Sequence, residues 1–319
     1  MIPRIVEIIR RNNKFLITAH VRLDGDALGS ELALFRILTD MGKTVTVYNQ
    51  DPTPANYLFL PGGDQIIHTL EETDSYDAVF VLDCSELERV GSAAEIIGAM
   101  RQIVNIDHHV SNAGFSDVKL IDPHASSTGE LIFRVISQMD VPIAADVATN
   151  LYTAILTDTG GFRYGNTTKD ALTIAGCLVE YGAKPQSISQ YVYENNPPAK
   201  ILLLSRVLQT LTFDLDGKVG SLVVYQRDLD ETGALHDHTE GFIDIPRTVE
   251  GTMISILYSQ ISENRFKVSL RSKDNVDIER VAWAFGGGGH INAAACRVDG
   301  DIETIKRRIL EEIRADRSV

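Results

Sequence analysis

Four short apolar runs, Phe15–Ala19, Thr44–Tyr48, Ala78–Asp83 and Ile103–Asp107, alternate with stretches of helical spacing in the first half of the chain. This alternation constrains the fold more than any other feature. Strands that recur after a helical crossover pair in parallel, and the crossovers lie on the faces of the sheet. Between the first two runs, Asp26–Met41 carries Ala27, Leu28, Leu32, Leu34, Phe35 and Leu38 at helical spacing, with Gly42 where a C-cap belongs. The spacing predicts an α/β domain built on a parallel sheet.

Beyond residue 126 the patterns become helical. Ser127–Met139, Ala145–Thr157, Lys169–Tyr181 and Pro185–Glu194 each carry an apolar stripe, and Ser126 or Ser127 suits an N-cap. Asn195-Asn196-Pro197-Pro198 then interrupts with turn chemistry and a double proline. A domain boundary is expected there, giving a first domain of 1–195, a linker of 196–211 with a helix from Ala199 to Leu211, and a smaller α+β domain of 212–319. In that domain Thr212–Leu215 and Val219–Tyr225 flank Asp216-Gly217. Met253–Ile261 and Phe266–Leu270 flank Ser262–Arg265, and a helix from Asp301 to about Arg314 follows.

With 319 residues, two domains are the natural expectation at roughly 150 residues each. No stretch approaches the roughly 18 uninterrupted apolar residues of a spanning helix, and Met1–Asn13 reads as an amphipathic helix rather than a signal peptide. No membrane partner is expected. Cys84, Cys177 and Cys296 are far apart and include no CxxC pair, which fits a reducing, cytoplasmic setting and no structural zinc. The net charge of −14 has the wrong sign for tracking along a long nucleic-acid duplex, so an anionic substrate must meet a local positive site.

Acids and histidines gather where the apolar runs end. His20-Val21-Arg22-Leu23-Asp24-Gly25-Asp26 follows the first run, Asp83 ends the third, and Asp107-His108-His109 ends the fourth. Open α/β sheets place their sites at such carboxyl ends. Each piece also has a bland explanation: Asp26 as a helix cap, Asp24-Gly25 as a turn, His20 as a core histidine. Asp158 follows the apolar helix Leu151–Leu156, where an acid opposes the helix dipole, and a cation is a sufficient reason for it. Histidine and aspartate without cysteine suit Mn²⁺ or Mg²⁺. Two divalent ions would balance the four charges of Asp24, Asp26, Asp83 and Asp158 and leave the site able to accept a phosphate.

These motifs, in this order, resemble the DHH phosphoesterase superfamily. The second half is similar to the DHH-associated domain, with a signature at Phe285-Gly286-Gly287-Gly288-Gly289-His290 followed by Ala293-Ala294-Ala295-Cys296. The resemblance spans nearly the whole chain, and its two-domain plan is most like the group of nano-RNases that also dephosphorylate pAp. It implies that His20, Asp24, Asp26, Asp83, His108 and Asp158 hold two Mn²⁺, with Mg²⁺ or another divalent ion as substitutes and Asp83 bridging. It implies that His109 faces the phosphate and that Asp107 orients a histidine. It also implies that Arg271 and Ser272 hold the distal phosphate or nucleoside, and the glycines Gly287, Gly288 and Gly289 beside His290 read as a backbone nest for an anion.

The implied substrates are short RNA oligonucleotides, released as 5′-mononucleotides, and pAp, received in a cleft between the two domains. Cyclic-di-AMP and linear pApA are the near alternatives, and a non-catalytic nucleotide sensor is the alternative from another class. An inorganic pyrophosphatase would need a second domain crowded with Lys and Arg. A processive exonuclease of the RecJ type would need further domains and a basic channel. Arg163, just beyond Asp158, has either a structural or a phosphate-contacting role. His68, His124, His236 and His238 match no motif. A homodimer and the base preference stay open.

Overall fold

The central apolar runs of the first half, Phe15–Ala19, Ala78–Asp83 and Ile103–Asp107, become strands whose two faces are both covered. In the computed structural model, which describes residues 1–71, 75–112, 114–273 and 276–315, six strands form one sheet. They are β1 (Lys14–Thr18), β2 (Thr44–Tyr48), β3 (Ile66–Ile67), β4 (Ala78–Leu82), β5 (Ile103–Asp107) and β6 (Val118–Ile121). Their order is β3-β2-β1-β4-β5-β6, and all neighbours are parallel. Alternate residues serve opposite cores: Phe15, Ile17, Phe80 and Leu82 point into one, and Leu16, Val79 and Val81 into the other. That double burial explains why β1 and β4 read as apolar runs, whereas the half-covered β2 alternates threonine and valine. The edge strands β3 and β6 escape the sequence reading because one is two residues long and the other carries the exposed Lys119.

Helices α1 (Ile2–Arg11), α2 (Gly25–Asp40), α3 (Ala94–Gly98), α4 (Thr128–Ser137), α5 (Ala145–Asp158), α6 (Lys169–Glu180) and α7 (Pro185–Tyr193) complete the unit Met1–Asn195. Helices α2, α4 and α5 approach very closely. A Cβ on Gly29 of α2 would lie 2.4 Å from the Asn150 carbonyl of α5, and one on Gly129 of α4 would lie 2.5 Å from Ala154 Cβ. Between β1 and β4 the chain order reverses, which makes the carboxyl ends of these strands the topological switch point of the sheet.

The second unit, Asn196–Val319, holds a separate six-stranded sheet. Its elements are α8 (Pro198–Leu208), β7 (Thr212–Asp214), β8 (Val219–Val224), α9 (Gln226–Thr232), β9 (Ile254–Ser262), β10 (Arg265–Ser272), α10 (Glu279–Ala284), β11 (Gly288–His290), β12 (Ala293–Asp299) and α11 (Ile302–Arg314). The order is β11-β12-β10-β9-β8-β7, antiparallel except for the parallel pair β8–β9. Val281 of α10 and Ile305, Ile309 and Ile313 of α11 cover one face. Leu203 and Val207 of α8 pack with Leu222, Leu229 and Leu257, so the helix expected as a linker belongs to the second unit.

The glycine run leads from a turn at Gly286 into β11, which Gly288 and Gly289 open. A Cβ on Gly287 would lie 2.2 Å from the Ala295 carbonyl, and one on Gly289 would lie 2.4 Å from the Ala293 carbonyl. The close approach of Gly287 and of β11 to the backbone of β12 gives a packing reason for glycine at these positions.

Candidate metal centre

At the switch point, the loops after β1, β4 and β5 and the termini of α2, α4 and α5 bring His20, Asp24, Asp26, Asp83, His108, His109 and Asp158 together. Asp83 sits just past the end of β4 with φ +56°, a backbone conformation uncommon for a residue with a side chain. Its carboxylate is buried and points both ways. Oδ2 lies 3.2 Å from His20 Nε2, and Oδ1 lies 3.6 Å from His108 Nε2. Asp24 Oδ2 is 3.6 Å from His20 Nε2, while its other oxygen caps α2 by accepting from the Asp26 and Ala27 amides.

Asp26 is buried against the N-terminus of α4. It accepts from the amides of Thr128 at 2.7 Å and Gly129 at 2.9 Å, two donors that the helix itself leaves unpaired. The Thr128 hydroxyl donates to Asp83 at 3.0 Å, so one residue of α4 fixes two acids. His108 Nε2 stands among Asp26 (3.7 Å), Asp83 (3.6 Å) and Asp158 (3.6 Å). Asp158 is held by Asn166, whose amide donates to its main-chain and side-chain oxygens. His20 contacts the Val21 carbonyl through Nδ1 at 3.0 Å, and its Nε2 donates to Asp83 at 3.2 Å; with Nδ1 committed to the carbonyl, Nε2 is the nitrogen that would give up its proton to hold an ion.

Two donor groups fit divalent ions and share Asp83: His20, Asp24 and Asp83 on one side, Asp26, His108 and Asp158 on the other. His109 also lies near Asp83, but its Nδ1 is 2.7 Å from Asp107 Oδ1. Asp107 is fully buried, accepts from the amides of His108 and His109, and is itself held by the Asn112 amide at 2.6 Å. This arrangement commits the Nδ1 of His109 to Asp107 and leaves Nε2 as its free nitrogen. Asn105, Asn112, Thr128 and Asn166 were not singled out from the sequence. Asn105, a polar residue inside the apolar strand β5, carries a local signal; the other three lie in loops or at a helix start and carry none.

The charges lean on one another. Burial opposes charging of His20, yet the hydrogen bonds and charges of Asp24 and Asp83 prevail and raise it to about 10. Burial raises Asp26 well above the usual carboxylate range, reinforced by the charges of Asp83 and Asp158. Burial also raises Asp158 to about 6, against the pull of His108. For Asp83, burial works the other way from the neighbouring histidines, and the histidines hold its carboxyl low. Behind the site the fully buried Glu31, bonded to Asn49 at 2.6 Å, is raised by burial to about 8.

A group whose folded pKa lies above its unfolded value favours the fold at low pH and loses that contribution as pH rises through the folded value. His20 (6.5 to about 10) and Glu31 (4.5 to about 8) both act in this direction. The chelated protein should therefore melt at a lower temperature at pH 9 than at pH 6.5. Replacing His20 with Asn should flatten the slope over this window. Thermal melts in EDTA across that range, with equal or higher melting temperatures at pH 9 in the parent protein, would refute the electrostatic account.

In the second unit, Ser272 is buried, and its hydroxyl donates to the Val276 carbonyl at 2.6 Å and accepts from the Asn292 amide at 2.9 Å. Arg271 is partly exposed, and His290 is exposed. The Nε of Arg163 donates to the Gly160 carbonyl at 2.6 Å, tying it to the turn after Asp158.

A doubly wound sheet with shared-carboxylate donor groups at its switch point, followed by a second mixed-sheet unit, defines a metal-dependent phosphoesterase class. Residues 14–155 match the model of the DHH family, N-terminal domain, and residues 221–315 match the DHHA1 domain. The bifunctional oligoribonuclease and PAP phosphatase NrnA of Thermus thermophilus is 34% identical over 94% of this chain and 89% of its own length. The protein of the same description from Bacillus subtilis is 24% identical over 96% and 98%. An exopolyphosphatase-related protein from Bacteroides fragilis superposes with a TM-score of 0.92 at 27% identity, covering 98% of this chain and 95% of that one. The chain belongs to the DHH family and is a metal-dependent hydrolase of the phosphoesterase kind. Among the described residues no helix is long and apolar enough to cross a membrane.

Proposed function

We propose that the protein degrades short oligoribonucleotides to 5′-mononucleotides and dephosphorylates pAp to AMP, with two Mn²⁺ at the switch point. The observation that carries this reading is Asp83, whose two oxygens face separate donor groups and so suit a pair of ions rather than one. The names of the T. thermophilus and B. subtilis relatives support the substrate class. The three free cysteines agree with a reducing, cytoplasmic setting.

When bound, such ions supply positive charge for the phosphate and acidify a water for attack on phosphorus. The chain's own residues do the rest. His20, Asp24, Asp26, Asp83, His108 and Asp158 hold the ions, with Asp26 and Asp83 kept in place by Thr128. His109, oriented by Asp107, presents Nε2 to the phosphate and gives a proton to the departing ribose oxygen as the phosphorus–oxygen bond breaks. Arg271 and His290 are assigned to a second phosphate or nucleoside of the substrate. Gly287, Gly288 and Gly289, of which the last two lie in the strand that carries His290, are assigned to an anion of the substrate, and Ser272 anchors the end of the strand that carries Arg271.

The test is a panel of pAp, a diribonucleotide, pApA, cyclic-di-AMP and inorganic pyrophosphate. Dialysis against EDTA should abolish hydrolysis of the first two, and Mn²⁺ should restore it better than Ca²⁺, because a mixed imidazole and carboxylate set favours a transition metal. Full activity in chelator would exclude the metal centre. Preferential hydrolysis of cyclic-di-AMP or pyrophosphate would replace the substrate assignment and leave the metal centre standing.

Length dependence follows from charge. Each further phosphate of a long RNA meets a chain of net charge −14 and releases no counterions to lysines, so affinity should not grow with length. Comparison of kcat/KM at equal salt should favour a dinucleotide over an RNA of about twenty nucleotides. Equal values would contradict the short-substrate assignment.

A further inference from the structure

The second unit offers a surface whose chemistry exceeds phosphate binding. In β10, β12 and β11, Arg271 lies opposite Ala293 and Ala293 opposite His290, so the three form one row across the sheet. Directly opposed residues share a face, so Arg271 and His290 stand two strand spacings apart, about 10 Å, with only a methyl group between them. The next row on that face is Ser269, Ala295 and Gly288, again all small. His290 is exposed and the other five are partly exposed, whereas Val268, Leu270, Ala294 and Cys296, which point the other way, are buried in the core.

Beside this second row stands Trp283, the one tryptophan of the chain. Its neighbours Val281 and Ala282 anchor α10 in the core, but the indole is 68% exposed. Trp283 Nε1 lies 3.6 Å from where a Cβ on Gly288 would stand, so the ring flanks the glycine strand rather than the core. An aromatic this exposed lies outside the core cluster of the unit. It adjoins a floor of small residues that ends, one residue pair along the strands, in an arginine and a histidine. A planar apolar surface next to anion-binding donors is the recognition chemistry of a nucleotide, with a base on the ring and its phosphate on the cations.

We propose that Trp283 is a stacking platform for a nucleobase whose phosphate is gripped by Arg271 and His290. The proposal deepens the assignment of a short-RNA substrate and rests on it. Stacking on an aromatic face is sequence-tolerant because every base has a π-face, so the site should accept any base rather than select one.

Two measurements test it. Trp283→Ala should lower kcat/KM for a diribonucleotide about 5- to 100-fold, chiefly through KM, while Trp283→Phe should retain most of the activity. An abasic dinucleotide, with the same phosphate but no base on the stacked residue, should be cleaved equally by the parent and by Trp283→Ala. Because the chain has one tryptophan, its emission reports this site alone. AMP in Mg²⁺ should change it saturably, and ribose 5-phosphate should not. Unchanged kcat/KM in Trp283→Ala, or equal spectral responses to AMP and ribose 5-phosphate, would overturn the platform while leaving the hydrolase reading intact. A parent protein that cleaves no diribonucleotide in Mn²⁺ would instead overturn the substrate assignment, and a base-dependent change in emission would still support the platform.

Discussion

Asp83→Ala should lower kcat/KM for a diribonucleotide by about 10³-fold or more, the largest loss expected of any single ligand replacement. The reason is geometric. The other proposed ligands serve one donor group each, whereas Asp83 Oδ2 approaches His20 and Oδ1 approaches His108. Its removal also strands the Thr128 hydroxyl, which donates to it, and leaves His20 with Asp24 as its remaining carboxylate neighbour. Charge stabilisation of several kcal/mol at the transition state corresponds to roughly three powers of ten. Asp83→Asn should recover little, because an amide supplies no negative charge to either side. Steady-state kinetics in saturating Mn²⁺, together with calorimetric counting of bound ions, would check this. An Asp83→Ala enzyme within about tenfold of the parent would show that the carboxylate does not serve both groups.

Gly29→Val should destabilise the first unit and weaken the metal centre together. Even a Cβ at residue 29 would meet the Asn150 carbonyl at 2.4 Å and Ala154 at 3.0 Å, and backbone cannot rotate aside as a side chain can. Overpacking of this kind costs about 1–3 kcal/mol, occasionally more. For a unit of this size that is a fall in melting temperature of roughly 3–10 °C. The same displacement would separate α2, which carries Asp26, from α5, which ends at Asp158. Mn²⁺ affinity should therefore fall along with stability. A surface glycine such as Gly42, around which a Cβ would meet nothing within 4 Å, carries no such packing penalty, although its positive φ makes substitution there strained. A melting temperature for Gly29→Val within about 1 °C of the parent would show that the helices can part without cost.

Much of the first unit was legible because its signals are local. Four strands, the crossover helix α2 and the acids at strand ends all follow from residues within one element of each other, since burial on both faces makes a strand continuously apolar and a C-terminal edge is where the chain must turn. The edge strands β3 and β6 were not legible. A strand with one neighbour needs fewer apolar side chains, so Ile66–Ile67 and Val118–Ile121 leave little pattern to find. The glycine run was legible in composition but not in packing, for four glycines in a row suit an anion nest as well as a strand pressed against another backbone. The positions of Ala293 and Ala295 on β12 add a packing reason at Gly287 and Gly289 that no spacing along the chain shows.

The sequence by itself determined which chemical groups are present and that they cluster at strand ends: imidazoles and carboxylates without thiolates, in an acidic chain, hence a site for hard or borderline cations and for a phosphate that those cations attract. The tertiary structure decided how the groups divide. Residues 83 and 128 are far apart in the chain, and so are 26 and 129, yet the hydroxyl and amides at the start of α4 set the directions of both carboxylates. Likewise the Nδ1 of His109 faces Asp107 while His108, its chain neighbour, faces three other acids. Adjacent residues with the same side chain thus receive different roles, because ligand direction depends on which distant backbone donors and carboxylates each ring meets, and no spacing along the chain encodes that.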